Sequence, residues 1–508
     1  MRLGVALVVI VALVFTALSG WRWFEDSKTA DNGRAWFAAY VDATTFPQLE
    51  FENPTSDATR DVVLSFIVAS PGTPCAPSWG MDYTLDKAAD ELDLDRRIAR
   101  LRQNDGDVVV SFGGAINDEL ATVCTDDEQL LEAYSTVVDR YDLRTIDLDL
   151  EGAGLTDADA AIRRAAVIAK LQSERSALDK DLSVWLTLPV SPHGLTPDGV
   201  QAVTSMLDAG VELSGVNVMT MDYGESRTEG MSMSDASIAA LNATHTQLTN
   251  SYAAAGNPIG PATLWRRMGA TPMIGQNDVP GEVFGLDAAA ELAQFAQEKG
   301  MGRLSMWSLN RDLTCGPNYP DPTIVSTSCS GIDQGSSTFA STLRGELTDS
   351  PDDVAVAPEA VKSESAAPIL DDPESSPYPI WEEDVTYVEG TRIVWHHNVY
   401  VSKWWSAGEL PDDPTVDQFS SPWQLVGPVM PGETPIPIPA LPEGTYPEWV
   451  ADTVYTTGQR VLLDGVGFSA KWWTQGESPE ARSTRSDPSP WEKLSDVETR
   501  RVLADANG

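Results

Sequence analysis

Between residues 34 and 345, eight short apolar runs alternate with helix-like segments, and this alternation predicts an α/β fold of the (β/α)8 TIM barrel class. Roughly 310 residues is also the usual size of such a barrel with insertions. An open doubly wound sheet is the alternative, but no Gly-x-Gly-x-x-Gly phosphate loop follows the first run. The predicted strands are Ala35–Val41, Val62–Ala69, Val108–Phe112, Thr145–Leu150, Ser183–Val190, Gly215–Met221, Thr271–Ile274 and Arg303–Ser308; the predicted helices are Asp90–Arg102, Asp127–Asp139, Asp157–Leu178, Thr196–Ala209, Ser234–Ala255 and Leu286–Lys299.

The net charge excludes some classes of partner. The chain has 34 Lys and Arg against 76 Asp and Glu, which gives a formal charge of −42. Such a surface repels phosphate backbones and anionic membranes, so we expect no nucleic-acid partner. A neutral polymer or a small neutral molecule remains compatible, and sixteen Trp residues point to flat apolar faces for stacking.

Residues 1–30 predict export. Arg2 precedes the uncharged run Leu3–Leu18, which is short for a membrane span and is followed by small residues. A cleaved signal peptide and an uncleaved anchor, with Trp21 and Trp23 at the membrane interface, both fit this pattern. We therefore expect an extracellular protein, either released or held to the membrane through this segment.

Export gives the four cysteines a structural meaning, because thiols are oxidised outside the cytoplasm. Four cysteines allow three connectivities. The one with the shortest loops joins Cys75 to Cys124 and Cys315 to Cys329, and we predict these two disulfides.

After the barrel, composition divides the chain into linkers and two related modules. Residues 346–376 are rich in Asp, Glu, Pro and Ser, as in an extended linker, and residues 428–444 form a Pro-rich linker. The modules span residues 377–427 and 445–495, and residues 496–508 form a tail. In register, the modules align Trp381 with Trp449, Tyr387 with Tyr455, Gly390 with Gly458, Tyr400 with Phe468, Trp404-Trp405 with Trp472-Trp473, and Trp423 with Trp491.

One predicted strand carries alternating carboxylates. Asp147, Asp149 and Glu151 lie two residues apart and share a face, while the residues between them are apolar. Three inward acids are a costly way to fill a core, but they suit a strand whose carboxyl end faces a cleft. We expect their mutual repulsion to raise the pKa of Glu151 towards that of a general acid.

A second alternating set, Glu91, Asp93 and Asp95, begins an apparent helix and is interpreted as structural, because acidic residues suit a helix N-terminus.

The carboxylate strand resembles the signature of family 18 glycoside hydrolases, the chitinase family, in which four acids follow the pattern Asp-x-x-Asp-x-Asp-x-Glu. The last three acids match, and Arg144 stands at the first position, which lies deepest in the family's barrel. Three further motifs fall in the family's order: Ser111-Phe112-Gly113-Gly114, Met219-Thr220-Met221-Asp222-Tyr223 with Met221 in place of a Tyr, and Trp307.

The resemblance implies retaining hydrolysis without a carboxylate nucleophile on the enzyme, an exception to the usual pair of carboxylates. Glu151 would protonate the glycosidic oxygen, Asp149 would orient the substrate's attacking acetamido group, and Asp147 would tune Asp149. Tyr223, supplying the missing hydroxyl, and Asp222 would hold the acetamido group. It further implies a monomer that needs no metal or cofactor, with substrate-binding candidates Trp307, Met219, Met221, Asp278, Ser111 and Gly113.

The two modules resemble small chitin-binding modules attached to bacterial chitinases. Adjacent Trp residues in a strand face opposite sides, so we expect one of each pair to be buried and its neighbour to stack on sugar rings. The candidate aromatics are Trp404, Trp405, Trp472, Trp473, Tyr387 and Tyr455.

Three functions remain open. The first is a secreted chitinase acting on β-1,4-linked N-acetylglucosamine polymers. The second is an inactive chitin-binding lectin, although such lectins typically lack the acid found here as Glu151. The third is an endo-β-N-acetylglucosaminidase acting on glycoprotein glycans, which the tandem polymer-binding modules disfavour.

Overall fold

The structure is a computed structural model that describes residues 35–345, 347, 371–373, 375–413, 416, 420–434, 440–481, 483–484, 487–494, 498–499 and 501–503. The chain forms two compact units, Met1–Ala360 and Val361–Gly508. The predicted export segment, most of the acidic linker, the centre of the Pro-rich linker and most of the tail lie outside the described residues.

The first unit is built on one large α/β sheet. Its central strands are parallel and buried on both faces. The side chains that face the helices are apolar, whereas the inward ones include polar residues such as Ser111, Asp147 and Thr187. The strands are β1 Trp36–Phe37, β2 Ala39–Asp42, β3 Val62–Ser70, β4 Thr73–Trp79, β5 Tyr83–Thr84, β6 Val108–Gly113, β7 Thr145–Asp149, β8 Ser183–Ser191, β9 Gly194–Leu195, β10 Leu213–Met219, β11 Met268–Thr271, β12 Gly275–Gln276, β13 Val283–Phe284 and β14 Arg303–Leu304.

The parallel strands neighbour one another in chain order, β3-β6-β7-β8-β10-β11-β14. β1 and β2 are separated only by Ala38. β1 pairs with β14, the last strand, whereas β2 pairs with β3, with Ala39 opposite Val62. Backbone amides of Trp36 and Tyr40 donate to the carbonyl oxygens of residues 302 and 306, both at 3.0 Å.

Helices fill the connections between the parallel strands. Several begin at side-chain caps; for example, Asp126 accepts from two backbone amides at 3.1 and 2.9 Å. The helices are α1 Leu85–Leu92, α2 Leu94–Gln103, α3 Leu120–Val123, α4 Asp127–Arg140, α5 Gly152–Thr156, α6 Ala158–Ser176, α7 Pro197–Asp208, α8 Met233–Ala254, α9 Pro261–Arg266, α10 Leu286–Lys299 and α11 Phe339–Arg344, with 3-10 turns at Asp57–Thr59, Gly224–Ser226 and Leu309–Arg311.

Several predicted elements differ in extent from the observed ones; the last predicted strand, Arg303–Ser308, for example, is only Arg303–Leu304. The seventh strand begins at Met268, earlier in the chain than expected. The predicted helix over 90–102 divides at Asp93, whose left-handed backbone ends α1 and precedes α2. Asp93 and Asp95 pair with arginines, which agrees with their interpretation as structural residues.

Both predicted disulfides are confirmed: Cys75 is bonded to Cys124, and Cys315 to Cys329. The first joins strand β4 to the end of α3, and so ties together two segments at the carboxyl end of the sheet. The second closes a loop that follows the Leu309–Arg311 turn.

The second unit contains two similar three-stranded antiparallel sheets. Each has a small aromatic core, with Tyr387, Tyr400 and Trp423 in the first and their counterparts in the second. The side chain of Thr386 also donates to the Ser483 hydroxyl at 2.9 Å, which joins the two sheets. The strands are β15 Arg392–Trp395, β16 Asn398–Ser402, β17 Trp423–Pro428, β18 Arg460–Leu463, β19 Val466–Ala470 and β20 Trp491–Lys493.

None of the helices within the described ranges has the length and apolar character that a membrane crossing requires.

Candidate active site

Asp147 lies at the centre of the sheet, on its inward face, and is completely buried. Its Oδ2 accepts from the hydroxyls of Tyr40 at 2.8 Å and Ser111 at 2.7 Å. Its Oδ1 accepts from Thr187 at 2.7 Å and from Nη1 of Arg303 at 2.6 Å. All four donors come from different strands, so this carboxylate is held by the sheet itself.

Arg303 is the buried cation of this centre, and the sequence analysis did not identify it. Its guanidinium also donates to Ser305 at 2.9 Å and to the Tyr40 hydroxyl at 3.1 Å, and it lies against the rings of Trp36 and Trp185. A signal was present in the sequence, because Arg303 is two and four residues before the inward positions Ser305 and Trp307.

Arg144 lies elsewhere. Arg144, which stands where the family pattern has its deepest acid, is exposed in this structure. The residue immediately precedes β7 at its amino end, where the chain reaches the surface.

Asp149, one step along the inward face, is 4% exposed, and its Oδ1 has no hydrogen-bond partner among the described residues. Burial, then Glu151 and Asp147, raise the pKa of Asp149 well above its usual range, although Arg303 opposes the rise. The neighbouring backbone is tightly fitted: a Cβ on Gly113 would lie 2.1 Å from the Asp149 carbonyl oxygen.

Glu151 follows β7 at its carboxyl end, where it occupies the N-cap position of α5 without making a capping hydrogen bond. The residue is half-buried. Burial, followed by the charges of Asp222 and Asp278, raises the pKa of Glu151 from 4.5 to about 7. The upward shift of the Glu151 pKa agrees with the expectation from the sequence. Its cause differs, because burial and the two loop carboxylates produce the shift instead of Asp147 and Asp149 on the strand.

Two loops provide the carboxylates that face Glu151. Asp222 follows β10, and its Oδ1 accepts from the backbone amide of Val279 at 3.1 Å. Burial raises the pKa of Asp222, and nearby Asp278 adds to the rise. Asp278 is exposed. The buried Glu282 holds the loops together, since its carboxylate accepts from the amides of residues 223 and 224.

Arg311 lies in the turn after β14, within electrostatic reach of Asp222 and Asp278. Its Nη2 donates to the Gln276 carbonyl at 2.6 Å, while its Nε and Nη1 atoms are buried and lack hydrogen-bond partners within the described part of the chain. Burial lowers the pKa of Arg311 to about 10, against the effect of the two carboxylates. Sequence reasoning missed this residue as well.

Tyr223 does not reach the carboxylates. Its ring is buried in the main core between sheet and helices, and its hydroxyl is 3.2 Å from that of Ser237 on α8. The expectation that Tyr223 supplies the missing tyrosine hydroxyl is therefore wrong in this structure. The residue follows the left-handed Asp222, which turns the chain away from the sheet's interior.

Two of the substrate-binding candidates are structural. Ser111 is fully buried and donates to Asp147, and Gly113 provides the close approach of β6 to β7 described above. Met219 follows the inward Asn217 at two-residue spacing and stays on the inward face, whereas Met221 lies beyond the end of β10 and is half-buried.

Trp307 is half-buried at the carboxyl end of the last strand. Its ring stacks on Phe66 at 5.5 Å between centroids, and it meets Tyr40 edge-on at 6.0 Å. Phe66 in turn lies against Gly114, where a Cβ would be 2.8 Å from the ring. The indole is therefore fixed at the same end of the sheet as Glu151.

A second buried ion pair lies behind the Glu151 loop. Nη2 of Arg164 donates to Glu119 at 2.7 Å and to the Gly154 carbonyl in α5 at 2.8 Å. Glu119 also accepts from the Tyr134 hydroxyl at 2.7 Å. Burial alone would raise the pKa of Glu119, but Arg164 and these hydrogen bonds lower it. The pair anchors the turn that carries Glu151.

In the second unit, all four candidate indoles are exposed, by 45% and 59% for Trp404 and Trp405 and by 42% and 61% for Trp472 and Trp473. The expectation that one of each pair is buried is wrong, because both pairs lie in bends after a strand, where alternation no longer applies. Lys403 and Lys471 lie over the rings of Trp404 and Trp472.

Tyr387 and Tyr455 are core residues instead of surface companions. They are 4% and 6% exposed, and their hydroxyls accept from the backbone amides of Glu382 and Val450.

No cluster of three or more His, Cys, Asp or Glu side chains suited to a metal ion occurs in the part of the chain that the structure describes.

Comparison with known proteins agrees with this geometry. The chain is 35% identical over 315 residues to a probable bifunctional chitinase/lysozyme of Escherichia coli K12, covering 59% of this chain and 34% of that protein. It is 34% identical over 311 residues to endochitinase 11 of Metarhizium anisopliae, covering 58% of this chain and 57% of that protein. The chain thus spans between a third and three-fifths of the length of these curated relatives.

Among solved structures, the catalytic domain of the Pyrococcus furiosus chitinase is similar, with 28% identity, a TM-score of 0.52 and coverage of 62% of this chain and 96% of that domain. Residues 448–492 match the model of carbohydrate-binding module family 5/12. The first unit is thus similar in sequence and fold to chitinase catalytic domains, and the second contains a segment similar to a carbohydrate-binding module. Over 311 to 315 residues, the chain is homologous to the Escherichia coli and Metarhizium anisopliae proteins, both of which are named as chitinases.

Proposed function

We propose that this chain hydrolyses the β-1,4 linkages of N-acetylglucosamine polymers such as chitin, with Glu151 as general acid and base. The observation that carries the proposal is the Glu151 carboxyl group, which is half-buried at the end of β7 and has its pKa raised to about 7. A carboxyl group of this pKa holds a proton near neutrality and can donate it to a leaving oxygen.

The reaction proceeds in two steps. Glu151 gives its proton to the glycosidic oxygen while the substrate's acetamido carbonyl oxygen attacks the anomeric carbon, which forms an oxazolinium and releases the leaving sugar. Water then attacks the anomeric carbon, gives its proton to Glu151 and reopens the ring with retained configuration. Asp149, which keeps a proton, accepts from the amide N–H with one oxygen and donates to the Glu151 carboxylate with the other.

Asp222 lines the same end of the sheet and orients the acetamido group, and Trp307 provides an apolar floor for the sugar ring. The hydroxyl expected at Tyr223 plays no part, because that side chain is buried elsewhere. Met219 and Met221 provide apolar contacts, and exposed Asp278 acts on Glu151 through its charge.

We further propose that the large sheet closes into a (β/α)8 barrel. The support is the continuous segment 36–42, which hydrogen-bonds to residues 302–306 on one edge and to residues 62–65 on the other. The two disulfides support export, because such bonds persist in oxidising compartments.

Both modules of the second unit bind the polymer in this proposal. Their cores correspond residue by residue, and each exposes a Trp pair. Two linked binding sites raise residence on an insoluble polymer, because the second binding event is intramolecular.

The test compares wild type with Glu151→Gln on chitin beads and on soluble chito-oligosaccharides, with Glu298→Gln on the exposed face of α10 as the matched control. We expect equal bead binding by all three proteins and a loss of product release by at least about a hundredfold only in Glu151→Gln. Bead binding without any release by the wild type would establish a lectin, and preferential release of glycans from N-glycoproteins would establish an endo-β-N-acetylglucosaminidase.

A further inference from the structure

The hydrogen-bonding capacity of Asp147 is full. Each of its two carboxylate oxygens accepts two hydrogen bonds, from Tyr40, Ser111, Thr187 and Arg303. A proton shared between Asp147 and Asp149 would have to displace one of these donors. The arrangement therefore separates Asp147 from its neighbour on the inward face, although the two carboxylates interact through their charges.

Arg303 enforces this separation. Its side chain is 0% exposed, and a guanidinium does not lose its proton in a protein, so the buried positive charge requires an anion beside it. Asp147 is the anion that it contacts, at 2.6 Å. The two residues thus form a closed ion pair that contributes no net charge to the interior.

We propose that Arg303 is a positioning residue that keeps Asp147 in a closed ion pair, so that the proton held by Asp149 is shared with Glu151 alone. This inference rests on the proposed function, because it assigns the proton that accompanies catalysis to the Asp149–Glu151 pair. Asp149 keeps a proton because it is buried, with one oxygen unpartnered, between two acids.

The groups that face this pair come from several elements. Asp149 faces Asp147 and Glu151 of its own segment and Arg303 of β14. Glu151 faces Asp222 after β10 and Asp278 after β11. Arg311 lies next to those two carboxylates. Arg303 is thus the cation that acts on Asp149, and Arg311 is the cation that acts on Asp222 and Asp278.

A cycle of charge changes tests the role of Arg303. Arg303→Met leaves one extra negative charge beneath Glu151, on Asp147 or, if the proton moves, on Asp149. Asp147→Asn leaves one extra positive charge on Arg303, and Asp147→Asn/Arg303→Met restores neutrality. Adjacent inward positions are about 6.5 Å apart, so the altered charge acts first on Asp149. It reaches Glu151, one position further along, through the proton that Asp149 shares with it.

The measurement is the alkaline limb of kcat/KM on a soluble chito-oligosaccharide between pH 4 and 9, which reports the ionisation of Glu151. We expect this limb to move up in Arg303→Met and to move down in Asp147→Asn, in each case by up to about one pH unit, and to return in the double variant. Arg303→Lys keeps the charge and should leave the limb near that of wild type. A role limited to packing would lower activity without these opposite shifts, and equal limbs in all variants would overturn the proposal.

A second readout does not depend on catalysis. Glu151→Gln is introduced into wild type, Arg303→Met, Asp147→Asn and the double variant. The Tm difference that it causes in each of these four backgrounds is measured from pH 4 to 9. A carboxyl group that is protonated when folded and ionised when unfolded makes stability fall as pH rises, until the folded group ionises. We expect the pH at which stability stops falling to rise in Arg303→Met, to decrease in Asp147→Asn, and to return in the double variant, as the alkaline limb of kcat/KM does.

The two readouts separate the possible failures. A wild type without hydrolytic activity but with the expected Tm shifts refutes the proposed function and supports the role of Arg303. Where Arg303→Met fails to fold, Arg303→Lys and the neutral double variant carry the test. A double variant whose limb departs from that of wild type by more than half a pH unit counts against the proposal.

Discussion

The charges of Asp222 and Asp278 should control the pH range in which the enzyme works. Together with burial, these carboxylates raise the pKa of Glu151 from 4.5 to about 7, and burial is the largest of the three causes. Each carboxylate therefore accounts for less than half of the rise, and the two together for less than about two-thirds. Asp222→Asn/Asp278→Asn should lower the pKa of Glu151 by about one unit.

The sign follows from the role of Glu151 as the acid. Since kcat/KM falls when Glu151 loses its proton, a lower pKa moves the alkaline limb to lower pH while leaving the acidic limb in place. Asp278 is exposed and its effect is screened by salt, so the shift in Asp278→Asn alone should be the smaller and should fade near 1 M salt.

The assay is kcat/KM on a soluble chito-oligosaccharide from pH 4 to 9, at low and high salt. The control, Asp208→Asn/Glu298→Gln, makes the same change in net charge at exposed positions on α7 and α10. A limb that stays in place, or moves to higher pH, in Asp222→Asn/Asp278→Asn would refute the assignment of these loops as the source of the rise.

Three further outcomes are expected. Glu119→Gln leaves the buried Arg164 unpaired and should lower the free energy of unfolding by about 3–5 kcal/mol in urea denaturation; a cost below 1 kcal/mol, or no recovery in Glu119→Gln/Arg164→Met, would contradict the buried pair. Gly113→Ala places a methyl group 2.1 Å from the Asp149 carbonyl oxygen and should cost several kcal/mol more than Gly210→Ala, which meets open space; equal Tm values for the two would argue against the tight fit of β6 on β7. Trp405→Ala/Trp473→Ala should weaken binding to chitin beads at least tenfold without changing kcat on soluble oligosaccharides, whereas retention of full binding would exclude the exposed indoles as the contact surface.

The sequence predicted most of what depends on neighbours along the chain. Alternation within one strand was enough to place Asp147, Asp149 and Glu151 on one face, and the two disulfides followed from loop lengths. The ion pair of Asp147 with Arg303 spans 156 positions, and only the folded sheet brings these residues together. Composition and spacing carry no signal for such a pairing.

The errors have local causes. Tyr223 was assigned to the site because it neighbours Asp222, but the left-handed backbone at Asp222 directs the following side chain into the helical layer. The indole pairs were interpreted as strand residues, but a bend after β16 and β19 leaves both members at the surface. The first prediction rested on the family resemblance and the second on strand alternation, and in each case one change of backbone direction made it wrong.

In each module, the exposed indoles and the residues that form the core are different sets. The small cores depend on Tyr387, Tyr400, Trp423 and their counterparts, and none of the four surface indoles belongs to them. If these indoles bind polysaccharide as proposed, variation at positions 404, 405, 472 and 473 changes which polymer is bound, and how tightly, while the scaffold keeps its shape. Such positions give natural selection and protein engineers a place to change specificity by single codons.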